Sequence, residues 1–111
     1  MTRPMTQKYQ LDELDVREPI PGHRGKFLHS EHTTHVYWDI ADGARLPEHS
    51  HPHEQIVNVL EGTYELTVGG TPHVLNAGEV LVIPGGVPHS GRSHSACRIL
   101  DVFSPVREEY R

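Results

Sequence analysis

A single cysteine, Cys97, stands among 111 residues, so no disulfide can form within the chain. Its neighbours Ala96 and Ile99 mark it as a packed thiol of a reducing compartment rather than a nucleophile. Basic charge is also scarce: ten lysines and arginines stand against fifteen aspartates and glutamates, for a formal net charge of -5. That balance supplies no basic face for nucleic acid or an anionic membrane. No apolar run approaches the ~20 residues of a membrane-spanning helix, and the opening MTRPMTQKYQLDELD has no secretory apolar stretch. The expectation is a soluble, cytoplasmic protein with neither nucleic-acid nor membrane partner. No segment sustains a helical hydrophobic period, which excludes a helical core. The length suits one domain with one core.

What is present is a succession of short segments rich in Val, Ile, Leu, Tyr and Thr, broken by glycine and proline as in an all-β barrel. Val36, Trp38 and Ile40 alternate with His35, Tyr37 and Asp39; Ile56 to Leu60 is nearly unbroken apolar; Tyr64 to Val68 and Thr71 to Leu75 flank Gly69-Gly70, a hairpin signal. Further strands are predicted at Val80 to Ile83, before the Pro84 to Pro88 turn, and at Arg98 to Phe103. Residues 1–26 are polar and interrupted by Pro4, Pro19, Pro21, Gly22 and Gly25. They read as an irregular N-terminal arm with one short strand near Tyr9 to Leu11, leaving 27–111 as the barrel. The charged tail after Phe103 is placed folding back over it.

Ten histidines are many for this length, and their spacing separates them. His49, His51 and Gln55 share parity, so on one extended strand they face one way. The segment Gly78 to Ser93 brings His89 to them. Three imidazoles and an amide oxygen can hold a first-row divalent ion with coordination positions open to substrate. His53 has the same parity and is an alternative ligand. His23, His29, His32, His73 and His94 read as surface residues. Nickel, zinc, iron, manganese and copper all suit such ligands, and the sequence does not choose among them. A neutral glutamine in place of a carboxylate leaves the ion's charge less compensated, which favours polarising an oxygen over the two-histidine-one-carboxylate chemistry of oxygen activation.

Gly43, His49, His51 and Gly62 fall on the pattern GX5HXHX3EX6G, with Gln55 where glutamate is usual, and Gly78, Pro84, Gly86 and His89 fall on GX5PXGX2HX3N, with Ser93 replacing asparagine. On both motifs, fifteen residues apart, the chain resembles the cupins, which implies a single-domain jelly-roll barrel with metal held by His49, His51, Gln55 and His89. The segment His49 to Gln55 and the ending from Asp101 to Tyr110 are similar to the KdgF-type cupins of pectin and alginate breakdown, which convert unsaturated uronates to linear keto sugars. That resemblance implies a metal-dependent isomerase or lyase-like enzyme with Asp101, Phe103 and Arg107 as its D-x-F-x3-R active-site residues.

The residues support this independently. Asp101 and Phe103 share parity on the last strand and can both face the interior; a buried Asp101 near a cation is a proton-transfer candidate, its alternative being a capped surface aspartate. Arg107 can grip a substrate carboxylate or form an ordinary surface ion pair, and Phe103 can be core or substrate contact. Tyr37, Trp38, Arg24 and Arg45 are further candidates for the mouth. A dioxygenase or polyketide-tailoring cupin, and a non-catalytic small-molecule sensor, are the competing readings. A homodimer is the expected assembly, since small barrels expose edge strands.

Overall fold

The structure, a computed structural model, describes residues 5–111. Its strands are β1 (Val16–Ile20), β2 (His23–His29), β3 (Thr34–Ile40), β4 (Arg45–His49), β5 (Glu54–Glu61), β6 (Thr63–Val68), β7 (Thr71–Asn76), β8 (Val80–Ile83), β9 (His89–Ser93) and β10 (Cys97–Ser104). Helical structure among the described residues is confined to 3-10 turns at Leu11–Glu13 and Glu108–Tyr110. All pairings are antiparallel. One sheet has the order β1-β2-β3-β10-β5-β8 and the other β4-β9-β6-β7, the all-β jelly roll that the sequence predicts.

Alternation decides what lies between the sheets. Val36, Trp38 and Ile40 of β3, Val57 and Val59 of β5, and Cys97, Ile99 and Phe103 of β10 face inward and are buried. Tyr64, Leu66 and Leu75 meet them from the smaller sheet. Burying this apolar surface is the main favourable contribution to the fold. The Cys97 thiol is packed and donates to the Thr63 and Ser95 carbonyls, each at 3.2 Å; burial pushes its pKa up, which suits a structural thiol. Gly69 and Gly70 join β6 to β7 with φ of 55° and 85°. Two consecutive left-handed residues are what a two-residue hairpin loop with matching twist requires.

The amino-terminal segment departs from expectation. Leu11–Glu13 is a 3-10 turn rather than part of a strand, while β1 and β2 form a hairpin within the larger sheet. The boundary drawn before Phe27 therefore falls inside β2. The prolines misled because Pro19 lies on β1, an edge strand where a missing N–H is tolerated, and Pro21-Gly22 is the hairpin turn, with Gly22 at φ 78°. Pro4 lies outside the described residues.

Candidate metal centre

Strand pairing positions the first two histidines. His49 ends β4 and pairs with His89, the first residue of β9, after a register shift between Leu46 and His49. His51 is not on that strand: β4 ends before it and β5 begins at Glu54. The shared parity of His49, His51 and Gln55 therefore does not explain their convergence; the connecting loop does. Gly86 N–H donates to the His51 carbonyl at 2.8 Å, so the turn before β9 anchors the loop that carries His51.

The ligand atoms of His49, His51 and His89 lie within 4.8 Å of one another. Each ring is oriented the same way: Nδ1–H donates to a backbone carbonyl, of Pro47 at 3.0 Å, His53 at 3.0 Å and Val87 at 2.9 Å respectively. A carbonyl can only accept, so each neutral ring keeps its lone pair on Nε2. The His89 Nε2 is buried without a hydrogen-bond partner. The His51 Nε2 meets the Gln55 Oε1 at 3.1 Å, one acceptor facing another. Burial pushes the His51 pKa down to about 4, with Arg107 and His89 adding to the shift; burial likewise lowers that of His89. Neutral imidazole is the metal-binding form. An orphaned buried nitrogen, fixed tautomers and a facing amide oxygen fit a divalent ion. Gln55, first inward residue of β5, lies beside this set, whereas His53 is buried but does not join it. Of the two, Gln55 is the one whose side-chain oxygen lies at an imidazole Nε2 of the cluster.

Asp101 lies inward on β10 and is buried. The Trp38 indole N–H donates to its Oδ2 at 2.9 Å, while its Oδ1 is buried with no hydrogen bond of normal geometry. Burial raises its pKa to about 6; Gln55, Trp38 and Arg107 oppose that rise. Arg107 is buried rather than at the surface. Its backbone N–H donates to Thr34 Oγ1 at 2.8 Å, its Nε donates to Glu109, and its guanidinium stacks 4.8 Å from the Phe103 ring centre and 4.2 Å from that of Tyr110. Phe103 is both core and site wall, with its ring centre 5.6 Å from that of His51. A cavity is bounded by Gln55, Asp101, Phe103, Arg107, Trp38 and Tyr110.

Other candidates are placed elsewhere. Tyr37 and Arg24 face outward on the larger sheet, and Arg45 lines a groove on the smaller one. His23 is buried against Tyr64, its Nε2 3.2 Å from the hydroxyl, and burial lowers its pKa. His29 donates to the Tyr110 carbonyl at 3.1 Å and accepts from Thr34 at 2.8 Å, pinning the tail. Neither is a surface histidine, because odd positions of β2 face inward. Ser93, in the asparagine position, bridges the Ala41 carbonyl and the Ala44 N–H, holding the turn around Gly43. Trp38 was legible as an inward residue, and a buried indole N–H needs an acceptor; Tyr110 had no comparable signal.

The cupin domain family matches residues 36–103. Among curated proteins, the HTH-type transcriptional regulator PuuR of Escherichia coli is 42% identical over 58 residues, covering 50% of this chain and 31% of that protein. Protein SchB of Streptomyces halstedii is 38% identical over 55 residues, 49% of this chain and 40% of that protein. The match therefore spans less than half the length of each relative. Two solved structures superpose with a TM-score of 0.89 at 25% identity: an RmlC-like cupin from Shewanella frigidimarina, covering 96% of this chain and 97% of that one, and KdgF from Halomonas sp., covering 96% and 100%. Oxalate decarboxylase of Bacillus subtilis shares the fold, with a TM-score of 0.79 at 19% identity over 95% of this chain and 31% of that one.

Proposed function

The chain belongs to the cupin family, and on that premise we propose that it is a metal-dependent enzyme that opens and ketonises an unsaturated uronate or a related sugar acid. The observation that carries this reading is Asp101: a buried carboxylate with one oxygen outside any regular hydrogen bond and a pKa raised to about 6, beside Gln55 and Arg107. A group poised near neutrality can both accept and return a proton, as conversion of an enol to a ketone requires. Likeness to KdgF over nearly the full length of both chains supports the same assignment.

In this reading His49, His51, His89 and Gln55 hold a divalent ion, which when bound supplies a Lewis acid for a substrate oxygen. Arg107 binds the substrate carboxylate. Glu109 is its acid partner among the described residues, engaging Nε and leaving the terminal nitrogens for an incoming anion. Phe103 and Tyr110 hold the guanidinium plane by stacking. Asp101 moves the proton at Oδ1, while the Trp38 indole fixes its other oxygen. The substrate's reacting edge reaches Asp101 from the cavity that Gln55, Phe103, Arg107 and Tyr110 border. Phe103 and Tyr110 limit water around that edge.

The test is anaerobic incubation of metal-loaded protein with an unsaturated monouronate, following the conjugated ultraviolet absorbance against a metal-stripped control. Metal-dependent loss of absorbance is expected, and no loss overturns the reaction. The match to a transcriptional regulator favours a second reading, a ligand-sensing domain. It predicts saturable uronate binding by calorimetry with the absorbance unchanged.

A further inference from the structure

A tyrosine and a histidine share the barrel interior with Asp101, and the chemistry proposed above uses neither. Tyr64 of β6 and His23 of β2 are 3% and 4% exposed, and both border the cavity that Asp101, Gln55 and Arg107 also border. Their other neighbours on that wall are apolar, among them Ile40, Leu66 and Ile99. A phenylalanine and a leucine would fill such positions without desolvating two polar groups. The chain also reserves space for the hydroxyl. A Cβ on Gly91 of β9 would stand 2.5 Å from the Tyr64 Oη, so the glycine is what lets that oxygen occupy its place.

The hydrogen bonds give this pair a direction. His23 Nδ1 lies 3.1 Å from the Pro21 carbonyl, which can only accept, so Nδ1 carries the proton. Its Nε2 is then an acceptor, and the Tyr64 O–H, 3.2 Å away, donates to it. Burial lowers the His23 pKa, which keeps the ring neutral and the direction fixed. The hydrogen of the Tyr64 hydroxyl is thereby committed, while its oxygen accepts from no group among the described residues.

We propose that Tyr64 is a specificity-determining residue of this site: its oxygen accepts a hydrogen bond from a hydroxyl of the bound sugar acid, and His23 is the positioning residue that keeps it accepting. The inference rests on the uronate reading and narrows its substrate class. The ligand sets its carboxylate on Arg107, its reacting edge at Asp101, and a hydroxyl against Tyr64. A carbonyl or ether there would bring two acceptors face to face, and a methylene would leave a buried oxygen unpaired. The Pro21 carbonyl, His23, Tyr64 and the substrate hydroxyl form one chain in which each member donates to the one before it.

The test compares kcat/KM, on the full chain loaded with divalent metal, for an unsaturated monouronate and for congeners in which each hydroxyl in turn is replaced by hydrogen or by fluorine. Fluorine accepts a hydrogen bond and cannot donate one. At one position the wild type is expected to lose roughly tenfold or more with either replacement. Tyr64→Phe is expected to lose about as much on the parent substrate and to be indifferent to replacement at that position, with circular dichroism and metal content retained. His23→Leu frees the Tyr64 proton, so fluorine at that position is expected to outperform hydrogen. A wild type tolerant of every replacement overturns the proposal without any variant, and so does a Tyr64→Phe protein that keeps the wild-type pattern. A His23→Leu protein in which fluorine fares no better than hydrogen overturns the direction of the chain. A wild type that does not convert the parent uronate removes the uronate reading and this inference with it, whereas conversion with an unchanged pattern in Tyr64→Phe removes this inference alone.

Discussion

Asp101 concentrates the chemistry at the scale of single residues. Parity on β10 made its inward direction legible in the sequence, but its partner Trp38 was not, since the two are 63 residues apart and meet only because β3 pairs with β10. If Asp101 transfers the proton, Asp101→Asn lowers turnover by about 10² to 10⁴ while metal content, read by elemental analysis, is unchanged. Normal turnover in that variant sinks the assigned role. Trp38→Phe tests the environment separately. Losing a donor to the ionised form raises a carboxylate pKa, so the acidic limb of the pH–rate profile is expected to move upward, by up to ~1 unit. A limb that stays put, or moves down, would show that another group titrates.

Elements determine whether the three imidazoles converge at all. The cross-strand pair His49–His89 comes from β4 and β9, but His51 depends on a loop fixed by the turn that precedes β9. Gly86 has φ of 82°, a conformation that side chains beyond glycine adopt at a cost of about 1–2 kcal/mol, and its N–H holds the His51 carbonyl. Gly86→Ala is therefore expected to lower stability by about that amount and to weaken metal binding together with it, measured by thermal melting and metal titration. Lost stability with full metal affinity would show that His51 is held in place by other contacts. The glycine was visible in the sequence as a turn residue. Its service to a histidine 35 positions earlier was not, because a hydrogen bond between two loops leaves no periodic trace.

For the whole molecule, the buried histidines set how stability responds to acid. His23, His51 and His89 all have folded pKa values below the unfolded one. The unfolded chain therefore binds protons that the native state refuses, and stability falls as pH drops below about 6.5. Asp101, raised to about 6, acts in the opposite sense: its native form holds a proton that the unfolded chain releases, adding stability at the acid end of that window. Three groups against one give a net loss, so metal-stripped protein is expected to melt about 5 °C or more lower at pH 5 than at pH 7. Divalent metal should raise the melting temperature at pH 7, because it binds the folded donor set. A pH-independent apo melting temperature would show that these rings are not held neutral. By itself the sequence determined the all-β class, the strands β3, β5, β6, β7, β8 and β10, and the inward directions of Asp101 and Phe103, because period-two alternation and turn glycines are local signals, whereas β4 and β9 went unmarked. Only the tertiary structure decided that β1 and β2 join the larger sheet, that the Gln55 side-chain oxygen rather than the His53 ring lies at His51 Nε2, and that Arg107 is buried between Phe103 and Tyr110. Those facts depend on which strands become neighbours, and neighbour choice is settled by packing between segments distant in the chain.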